Sequence, residues 1–167
     1  MILTLCGMMG AGKTTVGQAL AKTMGCECLD TDKVIEQKYG KITDIFACHG
    51  EAYFRGLETQ TVGALMEKDG RILSVGGGLV LQEQNVKMLK KVGKIVYLRA
   101  QKETLVKRLR ADTTRPLLQG EKIEKRIEDL LCARQSIYEQ VADITVDVDN
   151  KTPEEIANEI LAFLGEK

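Results

Sequence analysis

The stretch Gly7-Met-Met-Gly10-Ala-Gly12-Lys13-Thr14 matches G-x-x-x-x-G-K-[ST] without a gap. The apolar run Ile2–Cys6 precedes it, and a helical pattern from Lys13 to Met24, closed by Gly25, follows it. A strand that feeds a glycine-rich turn and then a helix opens an α/β domain, which rules out most other architectures at once. The residue types explain the chemistry. Glycines let the backbone curl so that several N–H groups face one anion. The helix N-terminus adds partial positive charge. Lys13 brings a full charge to the outer phosphates of a nucleoside triphosphate, and the Thr14 hydroxyl can ligate Mg²⁺.

The rest of the chain repeats the strand–helix alternation. Residues 27–29, 72–75, 95–98 and 144–148 read as further strands, mostly continuous apolar runs suited to a parallel sheet buried on both faces. Helical patterns fall at 51–68, 82–92, 102–110 and 123–141. A last helix starts at Thr152-Pro153, with Glu155 closing a capping box. The spacing therefore predicts one P-loop domain over residues 1–167, with helices on both faces of a parallel sheet. The polar stretch 111–122 has no apolar periodicity and reads as a mobile loop. Lysine plus arginine and aspartate plus glutamate number 24 each, so no broad electrostatic grip on nucleic acid or anionic lipid is expected. No apolar run approaches a membrane span, and no basic region precedes a cleavable apolar segment. The five cysteines are scattered, and Cys26-x-Cys28 is too little for a zinc site, so they read as reduced thiols of a cytoplasmic protein.

The acceptor of the phosphate must be read elsewhere, at the carboxyl ends of the strands, where ligands bind in such sheets. Asp30 and Asp32 follow the second strand. One could hold Mg²⁺ and the other an acceptor hydroxyl, or one could simply cap the helix that starts near Lys33. Arg55 and Glu58 stand three apart on one helix, either as a surface pair or as a guanidinium steadied for a bound carboxylate. Arg134 sits in an apolar stripe with Leu130, Leu131 and Ile137, where an unpartnered charge is costly, which favours a ligand contact. Arg115 precedes Pro116, whose ring holds the backbone extended and can aim the guanidinium at a phosphate. Arg108 and Arg110 flank the same loop, and at least one reads as a solvated helix charge. His49 reads as a surface or helix-end residue. Gly76, Gly77 and Gly78 follow the third strand, where side chains would fill the space an acceptor needs. Without them the backbone N–H groups face a small polar molecule.

Together "GMMGAGKTT", "DTD" at 30–32, "GEAYFRGLE" at 50–58, "ILSVGGG" at 72–78, "RPLL" at 115–118 and "ARQSIY" at 133–138 resemble the shikimate kinase family along nearly the whole chain. The resemblance implies a nucleoside-monophosphate-kinase-like fold whose five-stranded parallel sheet has the order 2-3-1-4-5. It implies transfer of the ATP γ-phosphate to the 3-hydroxyl of shikimate, in aromatic amino-acid biosynthesis, by a cytoplasmic monomer with Mg²⁺. Carried over by motif, Gly10, Ala11, Gly12, Lys13, Thr14 and Thr15 bind ATP phosphates. Thr14 and Asp30 serve the metal, the latter through a water. Asp32, Arg55, the glycines at 76–78 and Arg134 bind shikimate. Arg115 belongs to a lid over residues 111–122, and Lys151 to the adenine side. Lys13, Asp32 and Arg115 are the catalytic set. Ser74 stands where other P-loop enzymes carry an aspartate, and "ADTT" before Arg115 is shorter than in some relatives, which leaves the role of Arg110 open. Two rival readings are a kinase of another small acid such as gluconate, or of a nucleotide, and a non-catalytic nucleotide-binding switch.

Overall fold

The computed structural model describes residues 1–112 and 122–165. Five parallel strands form one sheet: β1 (Ile2–Cys6), β2 (Glu27–Asp30), β3 (Arg71–Ser74), β4 (Gly93–Arg99) and β5 (Ile144–Asp147), in the order β2-β3-β1-β4-β5. Both the order and the parallel sense agree with the reading of the sequence. The helices are α1 (Lys13–Met24), α2 (Thr31–Tyr39), α3 (Ile42–Leu65), α4 (Glu83–Val92), α5 (Lys102–Ala111), α6 (Lys122–Val141) and α7 (Pro153–Gly165), with a 3₁₀ turn at Leu79–Leu81. Right-handed crossovers dictate which face each takes. The connection through α1 runs to β2 at one edge, while the later connections run the opposite way, so α1 lies on one face and α4 to α6 on the other. α7 follows β5 and packs on α1.

β1 lies in the middle of the sheet, and all five of its residues are buried. The main core joins it to β3, β4, α1, α6 and α7 through residues such as Leu3, Leu5, Leu20, Leu73, Leu98, Ile127 and Ile160, each fully buried or nearly so. Burial of one such side chain stabilises by roughly 1.5–3 kcal/mol, enough in sum to make this sheet the rigid base of the molecule. A second, separate cluster of Ile35, Ile45, Phe54 and Leu57 joins α2 to α3 alone.

Two local expectations are corrected. A helix was expected over 51–68, but α3 begins at Ile42 and ends at Leu65, interrupted at Gly50. Gly50 has φ 82° and ψ 174°, a backbone state that is essentially glycine's alone, so a short helix stops there and a second starts at Glu51. The helix expected near Lys33 starts at Thr31, because Asp30 caps it. The last helix starts as expected: Glu155 N donates to Thr152 Oγ1 at 3.2 Å, and Thr152 N donates to Glu155 Oε2 at 2.7 Å.

Gly93 opens β4 opposite Ile2. A Cβ there would overlap the Ile2 carbonyl, 2.6 Å from its carbon, and backbone cannot swing aside as a side chain can. Gly93→Ala is therefore expected to cost roughly 3 kcal/mol or more, since overpacking against a central strand forces the pairing apart. A melting temperature equal to that of the parent protein would refute this.

Candidate active site

The loop after β1 turns tightly, with Ala11 N donating to Met8 O at 3.1 Å. Gly7 and Gly12, the two fixed glycines of the motif, have φ of 144° and 91°, and Gly10 between them has 83°, a region that side chains disfavour. Lys13 folds back over the loop, its Nζ donating to Gly7 O and Met8 O at 2.9 Å each. That holds the ammonium at the mouth of the cradle, where the N-terminus of α1 points.

At the next residue of α1, Thr14 Oγ1 donates to Asp30 Oδ2 at 2.8 Å and lies 3.3 Å from Ser74 Oγ. Asp30 also caps α2, its Oδ1 accepting from Asp32 N at 3.0 Å and Lys33 N at 3.3 Å. The capping reading of Asp30 therefore holds for one oxygen, while the other lies on Thr14. Capping by Asp30 sets the first turn of α2, which carries Asp32. A group of three hard oxygens at one point suits Mg²⁺, which takes few protein oxygens and completes its shell with water and phosphate.

The glycine triplet meets the predicted acceptor residues one by one. A Cβ on Gly76 would lie 2.7 Å from Asp32 Oδ1 and 3.2 Å from Glu58 Oε1. One on Gly77 would lie 3.2 Å from Arg134 Nη1. One on Gly78 would overlap the Arg55 guanidinium, 2.5 Å from its Cζ. The triplet is bare because Asp32, Arg134 and Arg55 occupy the space above it. The expected exposure of its N–H groups is corrected at Gly76, whose N–H donates to the buried Thr31 Oγ1 at 3.2 Å.

Arg55 is gripped from two sides, by Glu58 Oε2 at 2.7 Å and Glu51 Oε1 at 3.2 Å. Glu58 is 1 % exposed, so the surface-pair reading fails on that side. Burial pushes the Glu58 carboxyl above its usual range, the hydrogen bond and charge of Arg55 oppose this, and the negative charge of Asp32 adds to the rise. For Arg55 burial works against the charge, but its bonds to the two glutamates outweigh that and raise its pKa. The two shifts pull the pair in different senses, and the short bond between its members shows which prevails: an ion pair kept against the cost of burying one partner. Cys6 lies close below the loop, but burial pushes its thiol up to about 12, which removes it as a nucleophile.

A cavity of about 420 Å³ opens over these groups, lined by Lys13, Thr14, Asp30, Asp32, Gly76, Gly77, Arg108 and Arg134. A neighbouring one of about 300 Å³ shares Gly10, Gly12, Thr15 and Arg108 and adds Lys151 and Pro153. Lys151 Nζ pairs there with Glu159 Oε2 at 2.6 Å. Arg108 thus stands between the two, its Nη1 donating to Gly10 O at 3.1 Å. Arg110 is the solvated one, paired with Glu124 at 3.1 Å. Arg55 and Gly78 lie beside the larger cavity rather than on its wall. Arg115 and most of the 111–122 segment fall outside the described residues.

Thr31, Arg108 and Tyr138 carry weight that sequence reasoning did not give them. Thr31 lies between two carboxylates and Tyr138 stands four residues from Arg134 on the same helix face, but neither position alone reveals its partner.

A parallel 2-3-1-4-5 sheet, a lysine-bearing phosphate cradle, and a carboxylate and two arginines gathered over a glycine triplet define a P-loop phosphotransferase for a small acceptor. Comparison narrows the class. The family model for shikimate kinase matches residues 9–165. The shikimate kinase of Enterococcus faecalis is 44% identical over 167 residues, 98% of each chain. That of Thermodesulfovibrio yellowstonii is 42% identical over 160 residues, 95% of this chain and 92% of its own. The solved structure of shikimate kinase from Acinetobacter baumannii in complex with shikimate superposes with a TM-score of 0.90 at 40% identity, covering 98% of this chain and 92% of that one. The chain belongs to the shikimate kinase family.

Proposed function

We infer that the protein transfers the γ-phosphate of ATP to the 3-hydroxyl of shikimate. The observation that carries this reading is the placement of Asp32, Arg134 and Arg55 over a side-chain-free glycine floor, next to the lysine-bearing cradle. Shikimate is a carboxylate with hydroxyls. Two guanidiniums suit the former and Asp32 the latter. Gly10 to Thr15 hold the ATP phosphates, with Lys13 neutralising charge that grows on the outer ones. Arg108 and Lys151 flank the nucleotide. Thr14 and, through a water, Asp30 would hold Mg²⁺, which would offset negative charge on the phosphates. Asp32 orients the acceptor hydroxyl through a charge-assisted hydrogen bond and stands where a general base would. Arg115 is assigned to the transferring phosphate, and 111–122 to a lid, on their sequence alone. A cytoplasmic monomer that needs neither nucleic acid nor membrane is assigned on the sequence alone.

The test is ADP release with Mg²⁺ and ATP across a panel of small hydroxy acids, with the product identified by phosphorus NMR. Turnover is expected with shikimate and a 3-phosphate product. Equal turnover with gluconate, or none with any acid, would overturn the reading in favour of a broader kinase or a nucleotide switch.

Gly78→Ala supplies a sharper check of the acceptor side. The new methyl must displace the Arg55 guanidinium from between Glu51 and Glu58, while the ATP cradle is untouched. KM for shikimate is expected to rise by roughly 10-fold or more, because small misplacements of a positioning group are costly, with KM for ATP unchanged. A variant with an unaltered KM for shikimate would show that Arg55 does not serve the acceptor.

A further inference from the structure

The glycine triplet has no side chains with which to anchor itself, yet its backbone is bonded on two sides by buried hydroxyls. Thr31, at the start of α2, accepts the Gly76 N–H at 3.2 Å. Tyr138, on α6, donates to Gly77 O at 2.6 Å. Both side chains are 0 % exposed. A hydroxyl buried this deeply is retained only if it is bonded, so each fixes a peptide unit rather than merely filling space.

Both sit next to acceptor residues. Thr31 lies between Asp30 and Asp32 in the chain. Tyr138 lies one turn beyond Arg134, and the two converge on one point. A Cβ on Gly77 would be 3.2 Å from the Arg134 guanidinium and 3.4 Å from the Tyr138 hydroxyl. The Tyr138 ring packs on Tyr97 with centroids 5.1 Å apart. Phenylalanine would satisfy that packing equally well, so packing alone does not account for the hydroxyl.

We propose that Tyr138 and Thr31 are positioning residues for the acceptor. They hold the glycine floor at a fixed height beneath Arg134 and Asp32 without touching the substrate. The floor, the guanidinium and the carboxylate then move as one unit, and the acceptor carboxylate finds its partners already spaced. The proposal rests on shikimate being the acceptor.

The test compares Tyr138→Phe, Thr31→Val and Thr31→Ser with the parent protein, using steady-state kinetics and thermal melting. Loss of either hydroxyl is expected to raise KM for shikimate by roughly 5- to 50-fold, the range for removing one partner of a buried hydrogen bond. KM for ATP should stay within about twofold, since uniform ATP binding does not pass through the floor. Thr31→Ser should behave as the parent does. A lower melting temperature with KM for shikimate unmoved would make both residues structural only and overturn the proposal, as would an equal rise in KM for both substrates. If Tyr138→Phe does not fold, the contrast between Thr31→Val and Thr31→Ser decides. A parent protein inert toward shikimate sinks the acceptor reading and this proposal with it. An active parent with unshifted variants sinks this proposal alone.

Discussion

Lys13→Ala is expected to lower kcat on the order of 100-fold or more while the protein still folds, the cost of losing one charge aimed at a transition state. The fold should survive because the ammonium bonds carbonyls of its own loop, Gly7 O and Met8 O, and lies at the cavity wall rather than in the core. Transfer should fail because negative charge shifts towards the leaving oxygens as the phosphoryl group moves, and no other cation among the described residues stands on the loop itself. The bonds to Gly7 and Met8 also keep the loop's N–H groups pointing outward, so some weakening of ATP binding accompanies the loss of rate. Coupled ADP-release kinetics beside a thermal melt measure both. A folded variant that turns over at the parent rate would refute the assignment of the cradle.

Asp32→Asn separates acceptor from donor. Asparagine keeps the shape and one oxygen but cannot take a proton or form a charge-assisted bond, which is about twice as strong as a neutral one. With shikimate, kcat should fall by roughly 100-fold if Asp32 is a general base, and by less if it only orients the hydroxyl, since a loose transition state asks little of a base. Mg·ATP affinity, measured by calorimetry, should hold, because it is Asp30 that bonds Thr14, while Asp32 lies against Gly76. Should Asp32→Asn abolish Mg·ATP binding while Asp30→Asn spares it, the two carboxylates have been assigned in reverse.

What the sequence disclosed followed its physics. The sheet was legible because buried parallel strands carry short apolar runs, such as Ile72-Leu73 in β3 and Ile95–Leu98 in β4. The cradle was legible because side chains disfavour the φ at positions 7 and 12, so the motif has little freedom to vary there. The charged candidates, Arg134 among them, stood out because charge near a core demands a reason. Neutral hydroxyls make no such demand. Thr31 and Tyr138 look ordinary until their partners, 45 and 61 residues away, are brought alongside. Arg108 and Arg110 could not be told apart either, because two positions on one helix turn through a wide angle, and only packing decides which meets the loop.

The pairing of Ile35, Ile45, Phe54 and Leu57 into a core of their own has a consequence for how the enzyme yields to heat. Asp32 and Arg55 ride on helices that this small cluster joins, whereas Lys13 and Thr14 are anchored to the large one. Few buried side chains mean a low local opening energy, so residues 31–58 should exchange their amide protons faster than residues 2–24 and loosen at lower temperature. On warming, the protein should therefore lose its discrimination between acids before it loses its hold on nucleotide, and pass through a window in which it is a nucleotide binder without a chosen acceptor.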